Sequence, residues 1–394
     1  MDRMHFSPPD ARGNHPQGNE DPSRAYEAAT GAPGLAPASS PGAAVFDRSH
    51  RVRLLLVGRA PGQMLHGLVT GTIPQDPGRQ DGPWREGAAT PSLVLTPKGR
   101  ILTDLRLAKL TAGPEGAFFL DLPQAGSEPL RAHFTRFLPP RMARPLDLSE
   151  ALLMLTVVGP EAATLLKSAL ASVGGGGLPD LAAMTSGEVR FRGTPPGQDG
   201  GSAAAQEFSF LLVIRNDDVA PPAFDVVGSP SEVAAIRSHL LDSGALPASS
   251  SVWDTLRIER GTPETGKELD EGVIPPEAGL ERSHIDHAKG CYTGQEVIVR
   301  IRDRGHVNRH LRGLLLGDLP LPAAGTPLWI DGKEKEAGEV RSAASSPRYG
   351  QGIALAYLRR EVEPGDQVRL GAPDGPEITV RALGTDGWGK DMAS

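Results

Sequence analysis

One pattern occurs three times along this chain: an apolar run that ends in glycine, followed by a proline and a helical pattern. The runs are Arg51–Gly58, Leu152–Gly159 and Phe224–Gly228. An apolar run bounded by glycine predicts a buried strand, and a proline in the first turn favours the start of a helix. After the third run, Ser229 and Glu232 have the spacing of a capping box. The recurrence predicts related α+β modules; the alternative is coincidence, because strand–turn–helix is a common unit.

Two further regions predict β-structure. The segment Ser92–Leu107 has the pattern of a hairpin around the turn residues Pro97 to Gly99. After Gly313, six short strand-like runs alternate with turn signals such as Asp331-Gly332. Short strands at this spacing predict a small antiparallel β-barrel over residues 313–394.

Glycine and proline, 48 and 37 of the 394 residues, concentrate in a few segments. Residues 1–44 combine them with alanine and serine and have few bulky apolar residues, so we expect a disordered tail. Gly/Pro-rich stretches near 71–90 and 174–206 predict surface insertions. The remaining organisation is an α+β region over 45–312, expected to contain two interleaved subdomains, followed by the barrel.

Composition excludes several classes of protein. The net charge is −7, which argues against a general nucleic-acid binder. The single cysteine cannot form an internal disulfide or a multi-cysteine metal cage, so we expect no metal site and a reducing, cytoplasmic environment. No run of about 18 apolar residues is present, and acidic residues in the first 44 positions argue against a transit peptide. We therefore expect no membrane association.

The densest local signal surrounds that cysteine, Cys291, in the run KGCYTGQE. Gly290 and Gly294 allow close approach of the backbone to a ligand. Lys289 and the following Arg300 favour the thiolate, and a helix beginning near Gln295 would add to this effect. The alternative is an inert cysteine in a turn, since free cysteine often acts as a small apolar residue.

Five arginines lie between Val297 and Arg312, against one acidic residue, Asp303. This local excess predicts a site for an anion such as a carboxylate tail or a phosphate. For any single arginine the alternative is a solvated face. A direct RNA-binding surface is a further hypothesis, but overall acidity and the lack of interleaved aromatic residues argue against it.

The run KGCYTGQE, followed by RIRDRG, resembles the signature of the YgfZ family, a branch of the GcvT-like, aminomethyltransferase-related folate-binding proteins that includes mitochondrial iron–sulfur assembly factors. The segments TPKGRILTD at 96–104 and VIPPEAGL at 273–280 are also similar to that family. The resemblance implies an α+β fold of related modules around a central channel, with a C-terminal antiparallel β-barrel. It implies tetrahydrofolate or a folate derivative as cofactor.

The family's cysteine corresponds to Cys291, so the resemblance implies that Cys291 and Lys289 carry the chemistry. The other residues of the signature loop are Gly290, Tyr292, Thr293, Gly294, Gln295 and Glu296. Asp104 and Arg257 match an aspartate and an arginine of the aminomethyltransferase, which predicts that they contact folate, together with Arg300. For Asp104 the alternative is a strand-end cap, and for Arg257 a surface salt bridge.

Two departures from the aminomethyltransferase pattern bear on function. Thr103 stands where that enzyme has the first of two aspartates, and its G-Y-T-G-E motif is absent. We therefore expect an accessory protein, acting through folate and a reactive cysteine, rather than a turnover enzyme. Its expected role is iron–sulfur cluster assembly or repair, including iron–sulfur-dependent tRNA modification, with iron–sulfur client or assembly proteins as partners. The alternative is a tetrahydrofolate-dependent aminomethyltransferase of the glycine cleavage type.

Overall fold

A computed structural model describes residues 21–31, 42–174, 180–196, 209–330, 332, 335–383 and 388. Within these ranges the chain forms one large sheet covered by helices, followed by a closed barrel. None of the helices in the described ranges combines the length and the apolar character needed to cross a membrane.

The large sheet has twelve strands. They are β1 (Ala44–Asp47), β2 (Val52–Val57), β3 (Gln80–Asp81), β4 (Trp84–Leu95), β5 (Ile101–Lys109), β6 (Phe118–Leu122), β7 (Arg144–Asp147), β8 (Leu153–Val158), β9 (Glu188–Gly193), β10 (Phe210–Asn216), β11 (Ala223–Gly228) and β12 (Leu246–Ala248). Their order across the sheet is β12-β1-β8-β11-β10-β9-β4-β5-β6-β2-β7, and β3 pairs with β4.

Seven α-helices accompany the strands within the described ranges. They are α1 (Pro22–Thr30), α2 (Pro61–Leu68), α3 (Ser127–Phe137), α4 (Ala162–Ser172), α5 (Pro230–Asp242), α6 (Ser250–Arg260) and α7 (Gln295–Arg304). Short 3-10 turns occupy Gln124–Gly126, Leu181–Ala183 and Pro275–Ala278. Helices α2 and α5 begin with a proline, and the Ser229 side chain caps α5 by accepting a hydrogen bond from the Glu232 amide, as its spacing predicted.

The sheet is built from two halves with the same chain path. The first runs β2-α2-β4-β5-β6-α3-β7 and the second β8-α4-β9-β10-β11-α5-β12, and the halves meet where β4 pairs with β9. The runs at Arg51–Gly58 and Leu152–Gly159 therefore begin equivalent units. The run at Phe224–Gly228 forms β11, which corresponds to β6 of the first half. The unit therefore occurs twice, and the third run of the sequence pattern lies inside the second unit.

Each half packs its own helices on one face of the sheet. Apolar side chains of α2 and α3 cover the first half, and those of α4 and α5 cover the second. The opposite faces of the two halves share a single core, which includes Leu55, Phe119, Phe210 and Leu212. This shared core holds the two halves together and fixes the position of the central strands.

The barrel is closed by six antiparallel strands, which confirms the predicted C-terminal architecture. They are β13 (Arg309–Gly317), β14 (Pro327–Ile330), β15 (Glu336–Ser346), β16 (Gln351–Arg359), β17 (Gln367–Leu370) and β18 (Glu377–Arg381). The barrel begins at Arg309, four residues before the predicted boundary. A mixed core joins it to the β4–β5 hairpin and to residues 269–285.

The prediction of a disordered tail over residues 1–44 is wrong for α1. This helix is capped by Asp21, ends at Gly31 and buries Ala25, Tyr26 and Ala29. Its apolar surface is small, but α6 supplies the complementary surface through Val252, Trp253 and Leu256. Residues 1–20 and 32–41 of the predicted tail lie outside the described residues.

The two predicted insertions are only partly loops. Gln80–Asp81 forms β3 and residues 84–90 lie in β4, while Glu188–Gly193 forms β9, which pairs with both β4 and β10. Residues 175–179 and 197–208 lie outside the described residues. The strand signal was weak here because glycine and proline flank short strands.

Candidate functional site

A cavity of about 690 Å³ lies between the large sheet, α6, residues 276–284 and the start of the barrel. The strand β5 supplies part of its wall through Asp104 and Arg106, which share one face of that strand. Charged side chains from several elements complete the wall: Arg48, Arg51, Asp217, Asp218, Arg257, Glu264, Glu277, Glu281 and Arg312. A cavity of this size with a few convergent polar groups is typical of a small-molecule site.

Asp104 is a half-buried carboxyl group in the middle of β5, not at a strand end. Its Oδ1 accepts hydrogen bonds from the Thr265 amide, at 3.1 Å, and from the Thr265 hydroxyl. Burial raises the pKa of Asp104, while these hydrogen bonds and the Arg51 charge oppose that shift. A carboxyl group with a raised pKa on a cavity wall is a candidate general acid–base group.

Thr103, next to Asp104, points to the other side of β5. It is fully buried, and the space beside it is so small that a Cβ on Gly126 would lie 2.0 Å from its hydroxyl oxygen. Adjacent residues of a strand face opposite sides of the sheet. The aspartate that is missing at position 103 would therefore face this core and not the cavity.

Two further carboxylates line the cavity, although the G-Y-T-G-E motif is absent from the sequence. Asp217 and Asp218 follow β10 and line the cavity, with about 44% and 36% of their side chains exposed. The sequence motifs did not predict these two aspartates, because the residues around them do not resemble the G-Y-T-G-E motif. The only available signal was their position directly after a buried strand.

Arg257 lies in α6 and lines the cavity, but it is 2% exposed and held by internal partners. Its Nε lies 2.7 Å from Asp254, and its Nη1 lies 3.0 Å from Glu268 and 3.3 Å from the Thr262 carbonyl oxygen. These contacts tie α6 to the segment that carries Thr265. The guanidinium therefore positions the loop behind Asp104, and its direct contact with folate stays a prediction.

A cluster of buried ion pairs lies next to the cavity. Asp121 of β6 accepts hydrogen bonds from Arg51 at 2.7 Å and from Arg106 at 2.8 Å, and Arg106 also lies 2.6 Å from Asp225. Thr156 donates a hydrogen bond to Asp225. Four strands are thereby linked across the two halves of the sheet, and the face that carries Asp104 is held in place.

The KGCYTGQE segment lies apart from the cavity. Cys291 and Arg300 are exposed and Lys289 is half-buried, and none of the three lines the cavity. Lys289 donates hydrogen bonds from Nζ to the carbonyl oxygens of Val69, at 2.7 Å, and Gly71, at 2.9 Å. Burial lowers the pKa of Lys289 to about 8. The structure thus separates the predicted residues into two groups, with Asp104 and Arg257 at the cavity.

The signature loop docks on the tip of the β4–β5 hairpin. Gly294 has a φ of 83°, and a Cβ there would lie 2.5 Å from the Thr96 carbonyl oxygen, so only glycine fits. Thr293 donates a hydrogen bond from its amide to Gly67, and the Tyr292 amide donates to Gln295. Helix α7 begins at Gln295 as predicted, while Glu296 and Arg300 in its first turns are exposed. Gly290 packs against the His66 ring, where a Cβ at position 290 would lie 3.3 Å from Cε1.

Comparisons with known proteins agree with this architecture. Residues 309–385 match the family described as the glycine cleavage T-protein C-terminal barrel domain. The chain is 31% identical to an aminomethyltransferase of Rubrobacter xylanophilus over 328 residues, which cover 83% of this chain and 79% of the relative. An aminomethyltransferase of Nostoc is 27% identical, with 86% of this chain and 82% of the relative covered.

A solved structure also matches over most of its length. The glycine cleavage system aminomethyltransferase T from Bartonella henselae superimposes with a TM-score of 0.68 and 20% sequence identity. The match covers 88% of each chain. The two chains share the fold from the large sheet to the barrel.

Proposed function

We propose, from the premise that this chain belongs to the GcvT-like aminomethyltransferase family, that it binds tetrahydrofolate in the central cavity and carries out an aminomethyltransferase-type one-carbon transfer. The observation that carries the proposal is Asp104, a carboxyl group with a raised pKa on the cavity wall. The named relatives are aminomethyltransferases, and that family uses tetrahydrofolate as its one-carbon acceptor.

The cavity fits such a ligand in size and in chemistry. Its volume of about 690 Å³ lies within the usual range for small-molecule sites, and carboxylates and guanidinium groups face into it. The Asp104 carboxyl has one oxygen engaged by Thr265, which leaves Oδ2 to exchange a proton with a bound amine. Thr265 fixes the orientation of that carboxyl group, and Arg257 holds the segment that carries Thr265 through its contact with Glu268.

The reaction transfers a methylene group from an aminomethylated lipoyl sulfur to tetrahydrofolate. The bonds from the methylene carbon to sulfur and to nitrogen break, two bonds to the folate nitrogens form, and the thiol and ammonia are released. The two protons lost by the folate nitrogens balance the protons gained by the leaving groups. Asp104 is positioned to relay such a proton, and general acid–base help of this kind contributes about 10²- to 10⁴-fold in rate.

The sequence favoured an accessory role because two carboxylates of the enzyme pattern were missing. Position 103 faces the core, so its threonine removes nothing from the cavity. Asp217 and Asp218 supply carboxylates to the cavity although the G-Y-T-G-E motif is absent. Both points weaken the objection to transfer chemistry, and the relatives' shared name supports it.

A second candidate function rests on a different observation, the exposed Cys291 in the KGCYTGQE loop. An accessible thiol preceding a helix could serve an iron–sulfur assembly or repair role with a client protein, as the resemblance to the YgfZ family implies. This role would use the loop surface and would not require transfer in the cavity.

The two candidates are separated by one pair of measurements. Purified protein is given tetrahydrofolate and an aminomethylated lipoyl carrier, and methylenetetrahydrofolate is quantified. We expect product with wild type and with Cys291→Ser, and a loss of about 10²- to 10³-fold in rate with Asp104→Asn. The absence of product with wild type, together with failure of Cys291→Ser to restore iron–sulfur enzyme activity in a deletion strain, would reject the transferase and favour the second candidate.

A further inference from the structure

Arg48 is a buried cation with unused hydrogen-bond donors at the cavity. It follows β1, lines the cavity and is 4% exposed. Its Nε and Nη1 have no hydrogen-bond partner among the residues that the structure describes. Leaving buried donors on a charged group without partners is costly, and most native proteins avoid it. An uncompensated guanidinium on a cavity wall therefore indicates a ligand group that completes it.

The guanidinium is oriented without the use of its donors. It stacks on the ring of Trp253, with 3.7 Å between the Arg48 Cζ and the ring centroid. Stacking on an aromatic face holds the guanidinium plane while its N–H groups remain free to donate at the edge. Burial lowers the pKa of Arg48, and the nearby carboxylates of Glu264, Asp225 and Asp218 only partly compensate.

Arg48 and Asp104 both line the cavity, together with Arg51 and Glu264. Each of the two interacts electrostatically with Arg51 and with Glu264. A ligand that binds against Asp104 therefore shares the cavity with the Arg48 guanidinium.

We propose that Arg48 is a specificity-determining residue that donates a hydrogen bond to the carbonyl oxygen on the pteridine ring of the bound folate. The inference rests on the proposed function, because it takes a reduced folate as the occupant. Carbonyl oxygen is the strong acceptor on this neutral ring system, and a guanidinium can only donate. Arg48 thereby distinguishes a ring that carries an acceptor at this position from one that carries an amino group.

The test compares two ligands that differ at the ring carbonyl. Tetrahydrofolate and its 4-amino-4-deoxy analogue have the same tail, but the analogue carries an amino group in place of the carbonyl and no hydrogen on the adjacent N3. Titration calorimetry measures both with wild type and with Arg48→Met, which keeps the length of the side chain. We expect wild type to prefer tetrahydrofolate by about ten- to a hundred-fold, and Arg48→Met to bind it as weakly as the analogue, without preference.

A stability measurement separates this role from a structural one. Without ligand, Arg48→Met should unfold at the same or a higher denaturant concentration than wild type, because an unpaired buried charge is removed. The matched control is Arg53→Met, since Arg53 is also buried but donates to the carbonyl oxygens of Arg51, Ser49 and Ser149. Arg53→Met should lower stability and leave the ligand preference unchanged in the folded protein.

Other outcomes overturn the inference. If Arg48→Met keeps the preference for tetrahydrofolate, Arg48 does not bind the ring carbonyl. If the substitution weakens the binding of both ligands equally, Arg48 contacts the tail that the two ligands share. A loss of stability without ligand, as large as that of Arg53→Met, would make Arg48 a structural residue. Each of these leaves the proposed function intact, whereas wild type that binds neither ligand contradicts the proposed function and the inference with it.

Discussion

Asp121 shows how strongly a single buried carboxylate can hold the strands that support the cavity. It is fully buried and accepts hydrogen bonds from Arg51 and Arg106. Burial alone would raise the pKa of Asp121, but the two guanidinium groups outweigh it and hold this pKa well below its usual range. Every charged member of the cluster has a charged partner, so removal of one member leaves the others with an uncompensated desolvation penalty.

We expect Asp121→Asn to lower the free energy of unfolding by about 3–5 kcal/mol, because Arg51 and Arg106 lose their shared counter-charge in a buried site. Urea denaturation followed by circular dichroism measures the change. Asp147→Asn is the matched control, since Asp147 pairs with Arg131 on the surface with both side chains more than 40% exposed. That substitution should change stability by at most about 1 kcal/mol. Equal effects of the two substitutions would contradict the argument.

The same cluster gives stability a defined pH dependence. Because the pKa of Asp121 is lower in the folded protein than the value of about 3.9 expected in an unfolded chain, folding favours the charged carboxylate. This contribution is present above about pH 3.9 and is lost as the pH falls below it. Urea midpoints measured between pH 3 and pH 7 should therefore fall less steeply at the acidic end for Asp121→Asn than for wild type.

Single residues differ in how far sequence alone reveals them. Asp104 carries a motif signal and lies at the cavity, and the Ser229 cap follows from local spacing. Arg48 carries no signal, because an arginine after a strand is ordinarily a solvated residue. Arg48 is covered by Trp253, which lies about 200 positions further along the chain. A local sequence pattern cannot predict a contact between residues so far apart.

At the scale of elements, strand alternation in β5 separates two neighbouring residues with different roles. Thr103 is buried in the core beside Gly126, whereas Asp104 faces the cavity. We expect Thr103→Asp to lower the free energy of unfolding by about 3 kcal/mol or more, because it buries a charge without a partner. Denaturant unfolding measures this loss.

The neighbouring substitution provides the comparison for that prediction. Asp104→Asn removes a carboxyl group whose pKa is raised by burial, so its stability should change by only about 1 kcal/mol. If Thr103→Asp is as stable as wild type, or gains transfer activity, the assignment of the two faces of β5 is wrong.

Elements with a strong local pattern were predictable, and elements stabilised by distant partners were not. The runs that form β2, β8 and β11 are apolar and end in or just before a glycine, and turn residues separate the strands of the β4–β5 hairpin and of the barrel. Helix α1 has the alanine-rich composition of a tail, and its order comes from packing against α6. The twofold chain path of the sheet was obscured because β6 and α3 lack the glycine–proline signal of their counterparts β11 and α5.

At the scale of the whole molecule, Glu259 links three separate parts of the chain. It lies in α6, is 3% exposed, and accepts hydrogen bonds from the Tyr26 hydroxyl of α1 at 2.8 Å and from the Ser346 hydroxyl of the barrel. Burial raises the pKa of Glu259, and these donors oppose the shift. Helix α6 also carries Arg257 and Trp253, which line the cavity. The hydrogen bonds from α1 and the barrel to Glu259 therefore help to hold this part of the cavity wall in place.

Helix α1 should therefore contribute to the stability of the whole chain. Deletion of residues 1–31 removes the buried Tyr26 ring and leaves Glu259 with fewer donors, so we expect the melting temperature to fall by several degrees. Tyr26→Phe isolates the hydrogen bonds and should cost about 1–3 kcal/mol, because Glu259 stays buried. Deletion of residues 1–20 is the matched control, since it keeps every described contact of α1 and should leave the melting temperature unchanged. If both deletions melt at the wild-type temperature, α1 is dispensable and Glu259 does not join the three parts; if only the longer deletion melts early, the helix is an integral part of the fold.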